Sequence, residues 1–259
     1  ACVFCPYPTM KRQRGTMSMA LFEKIVDEAK DLPPIDHFTI TGLGEPLLDK
    51  HLIERLKCVR KAMPGILLDV YTNGTYLSED KIKALRDAGL SVLYISLNAN
   101  NAQKRQEVMK CDDYEHVRTM AHKAIELGKD KMKVLVKAVM SKDLIEHDEL
   151  EQFIAEWNGP FQKGGNAFVH FEGNWAGAMY PMRTKPVTAC DRALNQIMVL
   201  WDGRVSLCCF DGEGKVILGD LNTQTIREVF NGPIASGIRE AHVGGKRGEL
   251  PLCSTCTAI

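Results

Sequence analysis

An α/β protein built on a parallel sheet is what this sequence predicts, and three observations carry the prediction. Between residue 15 and about residue 175, apolar residues recur alternately at helical and at strand spacing. Strand patterns begin near residues 37, 67, 91, 133 and 166, and each except the last is followed by a helical one. Glycine, proline and asparagine punctuate the joins. Serial βα units of this kind form a barrel-like or an open doubly wound sheet, with functional residues at the C-terminal ends of the strands.

Each element has its own signal. Ser18 can cap a helix whose apolar residues Phe22, Ile25, Val26 and Ala29 keep 3.6-residue spacing. The segment 37–41 (HFTIT) reads as a strand and runs into Gly42-Leu43-Gly44-Glu45-Pro46. A helix over 49–63 places Leu52, Ile53, Leu56 and Val59 on one face and stops at Pro64-Gly65. A strand over 67–72 meets the turn Asn73-Gly74, and Ser78 caps a third helix that starts with Glu79 and Asp80 and ends at Gly89. The run 91–97 (SVLYISL) has the character of a buried strand. Next come a helix over about 114–127 closed by Gly128, a strand over 133–140, a helix over 144–157 and a strand over 166–171.

The texture changes after Pro181. Segments 197–201 and 204–207 flank Asp202-Gly203, a two-residue hairpin signal, and two helices follow near 226–230 and 233–242. The organisation expected is residues 1–180 as one domain and 181–259 as a second. The second has little apolar mass, so a bound metal cluster would organise it.

Composition narrows the function classes. The chain has 259 residues, with 33 basic and 33 acidic side chains and a formal net charge of +0. That argues against broad electrostatic capture of nucleic acid or of an anionic membrane. No apolar run approaches the roughly 18 residues that a membrane span needs, and no signal-peptide pattern opens the chain. The expectation is a soluble, cytoplasmic protein that binds neither nucleic acid nor membrane.

Nine cysteines are the anomaly. Cys2 and Cys5 form a C-x-x-C pair at the start, and Cys253 and Cys256 form another at the end. Between them, Cys190 is followed by twelve residues, Gly203, four residues and Cys208, with Cys209 adjacent. Without a secretion signal, such spacing favours metal ligation over disulfides. Thiolates three positions apart on a loop suit zinc or an iron–sulfur cluster equally, as does a closed set of four. Adjacent thiolates on extended backbone point opposite ways, so Cys208 and Cys209 are not expected to share one centre. Cys58 and Cys111 stand apart and read as structural thiols. The histidines, including His116 and His122 six positions apart, give no zinc-type pair. Met10, Met17 and Met19 read as packing.

In order, these motifs are C-x-Phe-C, a strand ending in GLGEP, one ending in TNG, one reading YISLN, and a terminal C-x(12)-G-x(4)-C…C-x-x-C. Together they resemble the radical S-adenosylmethionine enzymes that carry a C-terminal SPASM or shorter twitch extension. The resemblance implies a partial (β/α)6 TIM-like barrel. Cys2 and Cys5 match the second and third cysteines of a C-x-x-x-C-x-x-C loop that holds a [4Fe-4S] cluster. Its first cysteine is expected three residues before Ala1, with the first barrel strand ahead of it. Phe4 matches the aromatic beside the adenine of S-adenosyl-L-methionine. Gly44 and Glu45 match the motif that receives the methionine ammonium, and Ser96 and Asn98 match ribose-contacting positions. Asn73 reads as a turn residue. Cys190, Cys208, Cys253 and Cys256 match an auxiliary [4Fe-4S] cluster, and the choice of Cys208 over Cys209 rests on this resemblance.

The chemistry implied is reductive cleavage of S-adenosyl-L-methionine to a 5′-deoxyadenosyl radical that takes a hydrogen atom from substrate. An auxiliary cluster with no open iron then passes an electron, as in twitch-type dehydrogenases of aminocyclitols. A flavodoxin- or ferredoxin-type reductant is the implied partner. A sugar- or cyclitol-like small molecule is the favoured substrate, with a peptide maturase or epimerase as one alternative and a non-catalytic zinc protein as another. No catalytic side chain is assigned. Residues 172–177 (EGNWAG) follow the last strand and match no substrate motif, and Trp175 there reads equally as packing or as substrate contact.

Overall fold

The computed structural model describes residues 2–140, 147–171, 173–179 and 188–257. It divides into two compact units, one of Ala1–Val3 with Pro34–Glu172 and one of Phe4–Pro33 with Gly173–Ile259. The junction expected at residues 180–181 lies outside the described residues, as do Glu172 and the expected helix start at Leu144.

The first unit is a five-stranded, all-parallel sheet in the order β1-β2-β3-β4-β5. Its strands are β1 (His37–Ile40), β2 (Leu67–Thr72), β3 (Val92–Ser96), β4 (Lys133–Met140) and β5 (Ala167–Phe171). Between them run α2 (Leu52–Ala62), α3 (Glu79–Asp87), α4 (Ala102–Met109), α5 (Tyr114–Gly128) and α6 (His147–Glu156). The α/β expectation holds, and all five expected strands are present. Alternation sends Leu68, Val70, Leu93, Ile95, Val134, Val136 and Ala138 to the helix-covered face, where each is 2% exposed or less. Ser78 caps α3 by accepting from Lys81 N–H.

Three details differ from expectation. The helix expected from residue 49 starts at Leu52, because Pro46–Leu48 forms a 3-10 turn and the Asp49 side chain accepts His51 N–H. Gly128 is the last residue of α5 rather than its stop, and Lys129 turns the chain at φ 33°. Helix α4 gave no periodic signal, since its buried residues are Val108 and Met109 with the charged Arg105.

The second unit contains α1 (Met19–Ala29), α7 (Asp191–Asn195), β6 (Met198–Val199), β7 (Arg204–Ser206), β8 (Ile217–Asp220), α8 (Ile226–Asn231) and α9 (Pro233–Val243). Phe22, Ile25, Val26 and Ala29 are the buried face of α1, and Ser18 caps it. The hairpin β6–β7 has a three-residue loop, Trp201-Asp202-Gly203, rather than the two-residue turn expected. Leu200 and Arg204 pair across it, and Gly203 takes a left-handed φ of 94° that a side chain would strain. Strand β8 joins as a third antiparallel partner that the sequence did not announce. Among the described residues no helix is long and apolar enough to cross a membrane.

Candidate functional site

The first group of candidate residues lies at the C-terminal ends of the strands in the sheet unit. Glu45 leaves β1 and turns its carboxylate toward the end of β2. It accepts Thr72 Oγ1–H at 2.7 Å, Asn73 N–H at 2.8 Å and Leu47 N–H at 3.0 Å. Asn73 is a turn residue, its Oδ1 accepting Thr75 N–H at 2.8 Å. Beside it, Gly44 is exposed, and a Cβ there would meet no atom within 4 Å. An exposed backbone stretch next to a fixed carboxylate can take a cationic ligand at close range.

Asn98 follows β3 at φ 54° and is buried. Its Oδ1 accepts Val139 N–H at 3.0 Å, and its Nδ2 donates to Met109 Sδ at 3.1 Å. The same Met109 sulfur lies 3.3 Å from Cys2 Sγ, and Val3 N–H donates to Val108 O at 2.9 Å. Cys2 is thus moored to the end of α4 and brought to the residue that Asn98 holds. Ser96 is the last residue of β3, in register with Lys137. Cys111 Sγ leans on the carbonyl of Met109 at 3.5 Å.

Phe4 and Cys5 belong to the second unit. The carbonyl of Phe4 accepts the indole N–H of Trp175 at 2.8 Å, and that ring packs on Phe210 with centroids 5.3 Å apart. Trp175 therefore has a packing role, holding the Phe4 backbone. Burial pushes the Cys5 thiol above its usual range.

Four of the nine thiols meet in one place in the second unit. Cys190, Cys208, Cys253 and Cys256 line a small recess, partly open to solvent, with Arg192, His242 and Arg247 also in its wall. Cys190 precedes α7, Cys208 follows β7, and Cys253 and Cys256 bracket a 3-10 turn. Ala176, Ala193, Leu207, Ile238 and Leu252 form one apolar cluster with three of the thiols. The backbone at 208–209 is a bend and turn rather than extended, and of that pair Cys208 lines the recess. Burial is the main cause that pushes the Cys208 thiol up to about 12 and the Cys253 thiol up to about 11. Buried, protonated thiols are costly to ionise unless a metal takes them as thiolates. Among the described residues no three of His, Cys, Asp and Glu close on a single metal ion. The four thiols surround a space instead of converging on a point, as a cuboid cluster with one iron per thiolate requires.

Residues 1–154 match the radical SAM superfamily, and residues 190–257 match SPASM, an iron-sulfur cluster-binding domain. The chain belongs to the radical SAM superfamily. The S-adenosyl-L-methionine-dependent 2-deoxy-scyllo-inosamine dehydrogenase of Niallia circulans is 22% identical over all 259 residues, which span 88% of that relative. A tungsten-containing aldehyde ferredoxin oxidoreductase cofactor-modifying protein of Pyrococcus furiosus is 26% identical over 146 residues, 55% of this chain and 40% of that one. The crystal structure of BtrN in complex with AdoMet and 2-DOIA is similar with a TM-score of 0.68 at 19% identity, covering 100% of this chain and 87% of that one. Streptococcus suis SuiB bound to its precursor peptide SuiA has the same score at 16% identity, covering 92% and 63%.

A radical SAM chain with a SPASM domain takes a [4Fe-4S] cluster, S-adenosyl-L-methionine and auxiliary iron–sulfur clusters. The four-thiol recess fits such a cluster in donor chemistry and in layout. The open backbone at Gly44 beside the Glu45 carboxylate fits the cationic end of the cofactor.

Sequence reasoning missed several residues of this radical SAM chain. On the sheet face away from the helices, Tyr71 stacks on Tyr94 with centroids 4.1 Å apart, and Phe168 meets Tyr94 edge-on at 5.6 Å. Lys137 Nζ sits 4.7 Å from the Tyr71 ring centroid and 6.0 Å from that of Phe168. Burial pulls the Lys137 ammonium down to about 8, and burial pushes the Asp69 carboxyl up, with Thr39 Oγ1–H as its partner. A lysine in the middle of a strand whose only other charged residue is its first, Lys133, was the available signal, since charged residues are rarely placed there without a use. His242 was dismissed for lack of a histidine partner, yet it faces four cysteines.

Proposed function

We propose that this radical SAM enzyme oxidises an alcohol carbon of a sugar- or cyclitol-like small molecule to a carbonyl. The observation that carries the reading is the closed set of Cys190, Cys208, Cys253 and Cys256 around one recess. Its four thiolates match the four irons of one cluster, which leaves that cluster to handle electrons rather than to bind substrate. When bound, the first cluster with S-adenosyl-L-methionine supplies a hydrogen-abstracting radical, and the auxiliary cluster supplies an acceptor for the electron that the substrate radical must lose. The carbon loses a hydrogen atom, then one electron, and its hydroxyl loses a proton.

The chain's own residues have the following roles in this reading. Cys2 and Cys5 ligate the first cluster, and Glu45 with the backbone at Gly44 receives the methionine ammonium. Phe4 contacts the adenine, and Ser96 and Asn98 line the ribose side. Lys137, Tyr71 and Asp69 give the sheet face away from the helices a cation, stacked rings and a carboxyl, groups that bind and orient a polyol. The cyclitol specificity of the Niallia circulans relative supports the substrate class. A soluble one-electron donor of the flavodoxin or ferredoxin type would reduce the first cluster.

The test is anaerobic turnover with carbon-deuterated cyclitols and sugars, reading deuterium in 5′-deoxyadenosine. A cyclitol or sugar donor with a carbonyl product is expected. Deuterium drawn only from a peptide, or normal product formation by Cys208→Ala, would overturn the reading.

A further inference from the structure

His242 carries a hydrogen-bond donor with no partner among the described residues. It lies near the end of α9, 1% exposed, in the wall of the four-thiol recess. Its Nδ1 accepts the backbone N–H of Cys190 at 3.1 Å. An imidazole nitrogen that accepts has no proton, so in the neutral ring the proton sits on Nε2. Nε2 is buried and makes no hydrogen bond among the described residues. Leaving such a donor unmet is costly, so a buried N–H in the wall of an electron-rich site points to a ligand.

Arg192 supplies a second donor. Its guanidinium is in the wall of the same recess and lies 4.9 Å from the Phe210 ring centroid. Arg247, 1% exposed, adds a second cation, anchored on the carbonyls of Thr188 and Cys256 at 3.2 and 3.3 Å. The opposing charge is Asp211, whose carboxylate is taken up by Ser206 Oγ–H and by Lys215 and Val216 N–H.

We infer that His242 Nε2–H and Arg192 donate hydrogen bonds to the sulfurs of the auxiliary cluster and raise its reduction potential, making it the electron acceptor. The inference rests on the cluster assignment above and extends it. Donors and cations beside the sulfurs favour the reduced, more negative state. The direction of electron flow is thus set by side chains that ligate nothing.

The test is an EPR-monitored redox titration of the anaerobically reconstituted protein in a Cys2→Ala, Cys5→Ala background, where only the auxiliary cluster reports. His242→Asn keeps an acceptor for Cys190 N–H and removes the Nε2 donor. His242→Gln places an N–H donor where Nε2 stood. The expected result for H242N is a tenfold smaller equilibrium constant for one-electron reduction, about 59 mV downward. H242Q should recover most of that shift, and Arg192→Met should lower the potential as H242N does. Unmoved potentials in H242N and R192M with the cluster intact would overturn the inference and leave the cluster assignment standing. If H242N does not load iron, R192M alone decides. An unsubstituted protein without iron at the four cysteines would remove both.

Discussion

Arg105 Nε lies 2.6 Å from Asp113 Oδ1, and the guanidinium is fully buried. Its remaining nitrogens reach the carbonyls of Ser96 and Leu97 at 3.1 and 2.9 Å and of Asn73 at 2.9 Å. One side chain from α4 therefore ties the ends of β2 and β3, where the TNG and YISLN segments sit, to the start of α5. A planar guanidinium can serve several carbonyls and a carboxylate at once, which an ammonium cannot.

Removing that side chain should loosen this end of the sheet. Arg105→Met leaves Asp113 and three carbonyls with lost partners, and a loss of about 3–5 kcal/mol is expected in urea unfolding. Arg105→Lys should recover less than half of it.

The same pair gives an acid dependence. Although burial alone would raise it, hydrogen bonds from Arg105 and Thr75 hold the Asp113 carboxyl below its ordinary value of 3.8. A carboxyl depressed on folding stabilises the native state above its unfolded value, and that stabilisation is lost as pH falls through the folded one. Stability should therefore drop as pH is lowered from about 5 toward 2. The slope should be shallower in Asp113→Asn, measured by thermal melts at fixed ionic strength.

Gly44 separates cofactor binding from folding. A Cβ there meets open space, so Gly44→Leu should change stability by no more than about 0.5 kcal/mol. The same change should weaken S-adenosyl-L-methionine binding at least about tenfold by calorimetry, because it fills the face proposed above for the methionine ammonium. Unchanged affinity would move the ammonium site elsewhere.

Iron content separates the two cluster sites. The protein should hold about eight irons and eight sulfides. Replacing Cys2 and Cys5 should leave about four irons and abolish reductive cleavage, whereas replacing Cys253 and Cys256 should leave about four and retain slow uncoupled cleavage. Chemical iron and sulfide assays with product chromatography report both.

The substrate role proposed for Lys137 carries a pH signature. Lys137→Met should raise KM for the substrate by about tenfold while leaving iron content intact. In the unsubstituted protein the ammonium, held near 8, discharges above that pH, so KM should rise between pH 7.5 and 9. That rise should be absent in the variant.

The sequence by itself determined the strand count of the sheet, the caps at Ser18 and Ser78 and the spacing of the thiols. These signals are local: alternation, 3.6-residue spacing and a capping hydroxyl act within a turn or two of chain. It also carried the family, because cysteine pairs, GLGEP, TNG and YISLN in order are written in one dimension. Tertiary structure alone decided which side chains complete the sites. Arg105, Lys137 and His242 owe their settings to residues between 8 and 66 positions away: Asp113 for Arg105, Tyr71 for Lys137 and Cys190 for His242. Burial and hydrogen-bond partnership arise from packing, which converts an ordinary charged or polar residue into a strap, a lowered ammonium or an unmet donor.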